Sequence, residues 1–248
     1  MTVSISYEGP EIPADPTVPF PDITSGDVEI VLERSACFGN CPDYEVSIKG
    51  DGKVRFSTQG MNFPGTDAEV HRMFNGQNVL WPGTHHAQVS PEAVKQLVGK
   101  FRDAHFMGLK PEYAAGITDN PTYALTLRVG NLTKRVTDYV GKAVGMPASV
   151  TMLEDAVDAL AGTDRWVRGN AATVTLLKAQ SFDLSSKDAA RFMQAAITLD
   201  VWPSKENARG ELIRAAMDGG LDLDVVTDAG KAGQSEKGQA VGTRLAEY

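Results

Sequence analysis

The sequence predicts an α+β fold, an antiparallel sheet with two packed helices, followed by a small all-α helical segment. Three observations lead there. Residues 28–58 and 123–140 alternate apolar and polar types around glycine-bearing turns, the period of half-buried strands. Two later stretches place apolar residues at three- and four-residue spacing, the period of a helix face. From Trp166 onward only the helical period remains.

In chain order, residues 1–26 hold five prolines (Pro10, Pro13, Pro16, Pro19, Pro21) and neither Lys nor Arg, and read as an extended linker. Strands are predicted near 27–35, 43–49 and 53–58, the last two joined at Gly50-Asp51-Gly52. Residues 59–83 carry Met61, Phe63, Met73, Phe74, Leu80 and Trp81, too apolar for a plain loop, and are expected to fold over the sheet. A short strand near 86–89 leads into Ser90-Pro91-Glu92, an N-cap, a proline at the first helical position and an acidic first turn. The helix that follows turns Val94, Leu97, Val98 and Phe101 to the sheet. Tyr123 to Val129 and Leu132 to Val140 form a second hairpin around Gly130-Asn131. Met152, Leu153, Ala156, Val157 and Leu160 mark the second helix.

Residues 27–162 are thus read as one α+β domain, residues 163–227 as the helical segment, and residues 228–248 as a flexible or truncated tail. Within the helical segment, Phe182-Asp183-Leu184 and Leu221-Asp222-Leu223 repeat at an offset of 221 − 182 = 39 residues. This resembles ankyrin-type helical pairs, an ankyrin-like helical segment, although ankyrin repeats are nearer 33 residues and open on T-P-L-H, which does not occur here. So few units cannot bury a solenoid core alone, so the segment is expected to dock on the first domain or on a partner.

The only two cysteines, Cys37 and Cys41, stand in R-S-A-C-F-G-N-C-P-D-Y, Arg34 to Tyr44. Fully extended, residues four apart lie about 13 Å from one another, beyond the ~7 Å limit for a disulfide, so the chain must turn between them. Gly39 and Asn40 suit such a turn, and Pro42 argues against a helix. The first reading is a disulfide stapling one end of a hairpin, worth roughly 2 kcal/mol in the chain-entropy model. A zinc clip with two of His71, His85, His86 and His105 is the second, although adjacent His85 and His86 would face opposite sides of a strand. A cysteine nucleophile lacks positive charge nearby except at Arg34, which is expected on the exposed strand face.

The pattern R-x-x-C-x-G-x-C-P-x-Y, with Thr118-Asp119-Asn120-Pro121-Thr122 and Asp138-Tyr139-Val140-Gly141 further on, resembles an uncharacterised bacterial domain family. The resemblance covers roughly residues 27–162. It implies a domain without assigned activity, often in envelope proteins and sometimes joined to ankyrin-like repeats. It transfers no catalytic residue.

At 248 residues, with 42% hydrophobic and 23% charged residues, the chain can bury one or two ordinary cores. Its net charge of −8 disfavours nucleic acid and anionic membranes as partners. No apolar run approaches the ~20 residues of a membrane span, and the N-terminus lacks a secretory pattern. The expected compartment is a bacterial envelope or periplasm if an anchor or signal was removed, and otherwise the cytoplasm.

There is no H-E-x-x-H and no G-x-S-x-G. Asp119, Asp138 and Tyr139 are the candidate binding residues, since the two carboxylates fall in the family-like stretches. Neither is assigned as catalytic. Asp119 suits a turn, and Asp138 suits the capping of a strand end. No cofactor and no metal ligand set is expected. The leading function is a non-catalytic binding or scaffold module presenting a surface to another protein. The alternative is an enzyme using Asp119, Asp138 and a histidine.

Overall fold

A computed structural model describes residues 9–23, 27–39, 41–58, 78–81 and 83–179. The chain divides into two compact units, residues 1–60 with 84–162, and residues 61–83 with 163–248. The ankyrin-like repeat matches and the tail from residue 228 lie outside the described residues.

The first unit is α+β. Its strands are β1 (Val28–Arg34), β2 (Tyr44–Lys49), β3 (Lys53–Ser57), β4 (Thr84–Gln88), β5 (Glu112–Ala114), β6 (Tyr123–Val129) and β7 (Leu132–Tyr139). Among the described residues they form one seven-stranded sheet in the order β4-β3-β2-β1-β6-β7-β5. The sheet is mixed rather than antiparallel throughout, because β5 runs parallel to β7. Three residues with one buried side chain, Tyr113, are too short to show an alternating pattern, so sequence periodicity passes over β5.

Helix α1 (Pro91–Asp103) starts where Ser90 accepts a hydrogen bond from the Ala93 amide, and it buries Val94, Leu97, Val98 and Phe101. Helix α2 (Ala148–Ala161) buries Val150, Leu153, Glu154, Val157 and Ala161 and stops at Gly162, whose φ of 66° suits glycine. Met152, expected inside, is 70% exposed, because α2 is turned to bury Glu154 instead. Both helices pack in this unit, α2 against α1 and against β1 and β2. The inner sheet face supplies the core between them: Ile30, Leu32, Val46, Ile48, Phe56, Leu125, Leu127 and Val136 are buried.

The proline-rich residues 9–23 contain no regular element, and they are held to this unit by backbone hydrogen bonds. The amides of Gly9, Ile12 and Asp15 donate to the carbonyls of Lys142, Gly145 and Gly108 at 3.0, 2.7 and 2.9 Å. Glu11 accepts from the Ala148 amide at 2.8 Å, capping the first turn of α2. Arg102 of α1 lies over the ring of Phe20.

In the second unit, α3 (Asp164–Val167) and α4 (Ala171–Ala179) are described, with residues 78–81 and 83. The Leu80 and Trp81 amides donate to the Val167 and Trp166 carbonyls at 3.0 and 2.9 Å. Trp81 and Trp166 are both buried, so both serve packing.

Candidate functional site

Strand register places five side chains in one row across the inner face: Tyr44, Arg34, Tyr123, Asp138 and Tyr113 are successive cross-strand partners on β2, β1, β6, β7 and β5. Directly paired residues share a face, so this polar row borders an apolar one of Val46, Leu32, Leu125 and Val136. Arg34 was expected to face outward. It is in phase with Val28, Ile30 and Leu32, its side chain is only 11% exposed, and it meets α2. Its Nε donates to Asp158 Oδ2 at 2.8 Å, and Tyr44 donates to Asp158 Oδ1 at 2.8 Å. The guanidinium also lies 4.3 Å over the Tyr123 ring. Burial pulls the Arg34 pKa down, but the negative field of Asp158, Tyr44, Glu154 and Tyr123 outweighs it and raises the pKa above its ordinary value.

Asp138 belongs to the same row and is buried; its Oδ1 accepts from the Gly141 amide at 2.6 Å. Burial raises its pKa, and the Gly141 hydrogen bond, Lys142 and Arg34 partly offset the rise. The turn after it is tight. Val140 takes a left-handed φ of 53°, and a Cβ on Gly141 would stand 2.8 Å from both Asp138 Oδ1 and Met146 Sδ. The D-Y-V-G stretch is therefore a carboxylate-held turn that leaves no room for a side chain at its last position.

Cys37 and Cys41 stand at disulfide distance, with sulfurs 1.94 Å and Cα atoms 5.5 Å apart. They join the end of β1 to the start of β2, the positions that present Arg34 and Tyr44. Phe38 at this turn is 80% exposed, and its amide donates to the Asp119 carbonyl at 3.2 Å. Asp119 is exposed at a left-handed φ of 69°, accepting from the Thr118 hydroxyl at 2.9 Å. Tyr139 accepts weakly from the Asn120 amide at 3.4 Å and neighbours Asp138 on β7, so their side chains leave opposite faces. Asp119 thus supports a loop, whereas Asp138 is enclosed in the inner row. His85 pairs with Phe56 on the inner face and His86 with Arg55 on the outer face, while His71 lies outside the described residues.

The outer face of the sheet holds a second constellation that the sequence reading did not assemble. Its middle row runs Arg135, Thr126, Val31, Ser47, Arg55 and His86 across β7, β6, β1, β2, β3 and β4. This row floors a depression of about 380 Å³. Five cationic side chains line it, Lys49, Lys53, Arg55, Arg128 and Arg135, against three carboxylates, Glu29, Glu33 and Glu45. Each carboxylate is matched to an arginine: Glu29 to Arg128, Glu33 to Arg135, and Glu45 to Arg55 at 3.5 Å. The three arginine side chains are about half exposed.

Among the described residues, no helix is long and apolar enough to cross a membrane. A comparison with curated proteins finds no match. The model of a domain of unknown function, DUF6438, matches residues 28–161, from the first residue of β1 to the last of α2, and the chain belongs to that family.

Proposed function

We propose that this chain is a non-catalytic binding module whose outer sheet face receives an extended, acidic segment of another protein. The observation that carries this reading is the depression on that face, lined by five cations and three carboxylates, with Lys53 also paired to Asp51 at 2.7 Å, in a chain of net charge −8. Its floor of Val31, Ser47 and Thr126 is itself buried, so the contact is made mostly by the half-exposed charged side chains around it, suited to a chain segment rather than a compact apolar ligand. The arginines are already braced by neighbouring carboxylates, which cuts the entropy lost when they engage a partner. The glutamates, two of which (Glu33 and Glu45) are directly paired across β1 and β2, interrupt the positive field, which disfavours the continuous phosphate backbone of a nucleic acid.

The test is fluorescence anisotropy with a labelled peptide of alternating Glu and Ser, whose carboxylates fall on one side when extended. Binding should weaken as salt rises. Reversing two charges, Arg55→Glu with Arg128→Glu, should weaken it at least about tenfold, or ~1.4 kcal/mol, without changing the far-UV circular dichroism. Unchanged affinity in the folded double variant, or an equal affinity for a Lys/Ser peptide, would overturn the reading.

A further inference from the structure

We propose that Glu154 is a proton-operated latch for α2: with its carboxyl protonated the helix seats on the polar row of the sheet, and ionisation loosens that seat. Glu154 is 2% exposed, and its Oε1 is enclosed without a hydrogen-bond partner. A carboxylate so placed carries a full desolvation cost that a neutral carboxyl largely avoids.

The groups acting on Glu154 decide the direction. From β7 comes Asp138, from β1 Arg34, and from α2 itself Asp155 and Asp158. Tyr123 of β6 is coupled to it as well, and Tyr44 of β2 and Lys142 act at one remove through Arg34 and Asp138. Helix α1, also packed on α2, buries only apolar side chains, and its Glu92, Lys95, Lys100, Arg102 and Asp103 are exposed. Arg34 is the cation of this group, and both its Nε and Nη2 are engaged by Asp158 at 2.8 Å. An ionised Glu154 would therefore share a dry seam with Asp138 and with a cation already spoken for.

Burial, then the Asp138 carboxylate, raises the Glu154 pKa from 4.5 to about 8, Arg34 offsetting part of the rise. The folded state then keeps a proton that the unfolded chain has already released. The seat is accordingly firmest at low pH, and it weakens as pH rises from the ordinary glutamate range through about 8.

Hydrogen exchange of the full chain at a series of pH values tests this, using the ratio of protection in residues 148–161 to that in residues 91–103. The ratio cancels the intrinsic base catalysis of exchange. It should fall about tenfold between about pH 6.5 and 9 in the natural chain and stay level in Glu154→Gln. A level ratio in the natural chain, or an equal fall in the variant, overturns the latch. Should the variant not fold, the carboxyl ¹³C resonance of Glu154 in the natural chain decides: a titration midpoint above about 7 supports the latch, and one at or below it overturns it.

Discussion

Arg34 holds Asp158 through two nitrogens and covers Tyr123, so its removal takes the charge-assisted bonds from a carboxylate that is only 20% exposed and leaves the Tyr44 hydroxyl still donating to it. Arg34→Met should cost about 3 kcal/mol in urea unfolding, and Arg34→Lys about 1–2 kcal/mol because a lysine cannot keep the planar contact. A loss below about 1 kcal/mol for Met would mean the row is not clamped. Asp43 offers a pH prediction. Burial pushes its carboxyl up to about 6, so the folded state binds a proton above the ordinary 3.8 and stability falls as pH rises through that window. Asp43→Asn should flatten this slope and add up to about 2 kcal/mol at pH 7. Thermal unfolding at pH 4 and pH 7 checks it, and equal slopes in both proteins would contradict it. These residues were legible in part. Arg34, Tyr44 and Asp138 keep step by twos with Leu32, Val46 and Val136, a phase that already places them on the core face. The expectation of an exposed arginine followed residue type where periodicity was the better guide.

Among the elements, α2 was the least well read. Its hydrophobic periodicity places Met152 inside, but the partners waiting on the sheet are Arg34 and Tyr44, and they select the face carrying Asp158. The extended segment 9–23 was visible in its prolines, whereas its attachment was not, since backbone hydrogen bonds to Lys142, Gly145 and Gly108 leave no signature in side-chain types. Deleting residues 1–23 should lower the melting temperature and raise hydrogen exchange at the start of α2, where the Glu11 cap is lost. An unchanged melting temperature would contradict it. The cysteine turn carries a separate expectation. Replacing Cys37 and Cys41 by serine should cost roughly 1–3 kcal/mol through restored freedom in the unfolded chain. Mass measurement after alkylation without reductant should find neither thiol modified, and two modified thiols would contradict the staple.

At the scale of the molecule, the α+β character of residues 28–161 followed from periodicity, and the family match has the same extent. The outer face was harder to foresee. Arg55, Arg128 and Arg135 stand on three different strands, and only the strand order and register bring them beside one depression. Linear charge counting sees a chain of net charge −8 and misses the local excess of cations. The most direct measurement is an NMR titration of the ¹⁵N-labelled chain with the Glu/Ser peptide. Binding on the outer face predicts amide shifts centred on Val31, Ser47 and Thr126 that fade as salt is raised. Shifts confined to α1, α2 or the loops at Phe38 and Asp119, with those three amides unmoved, would contradict it.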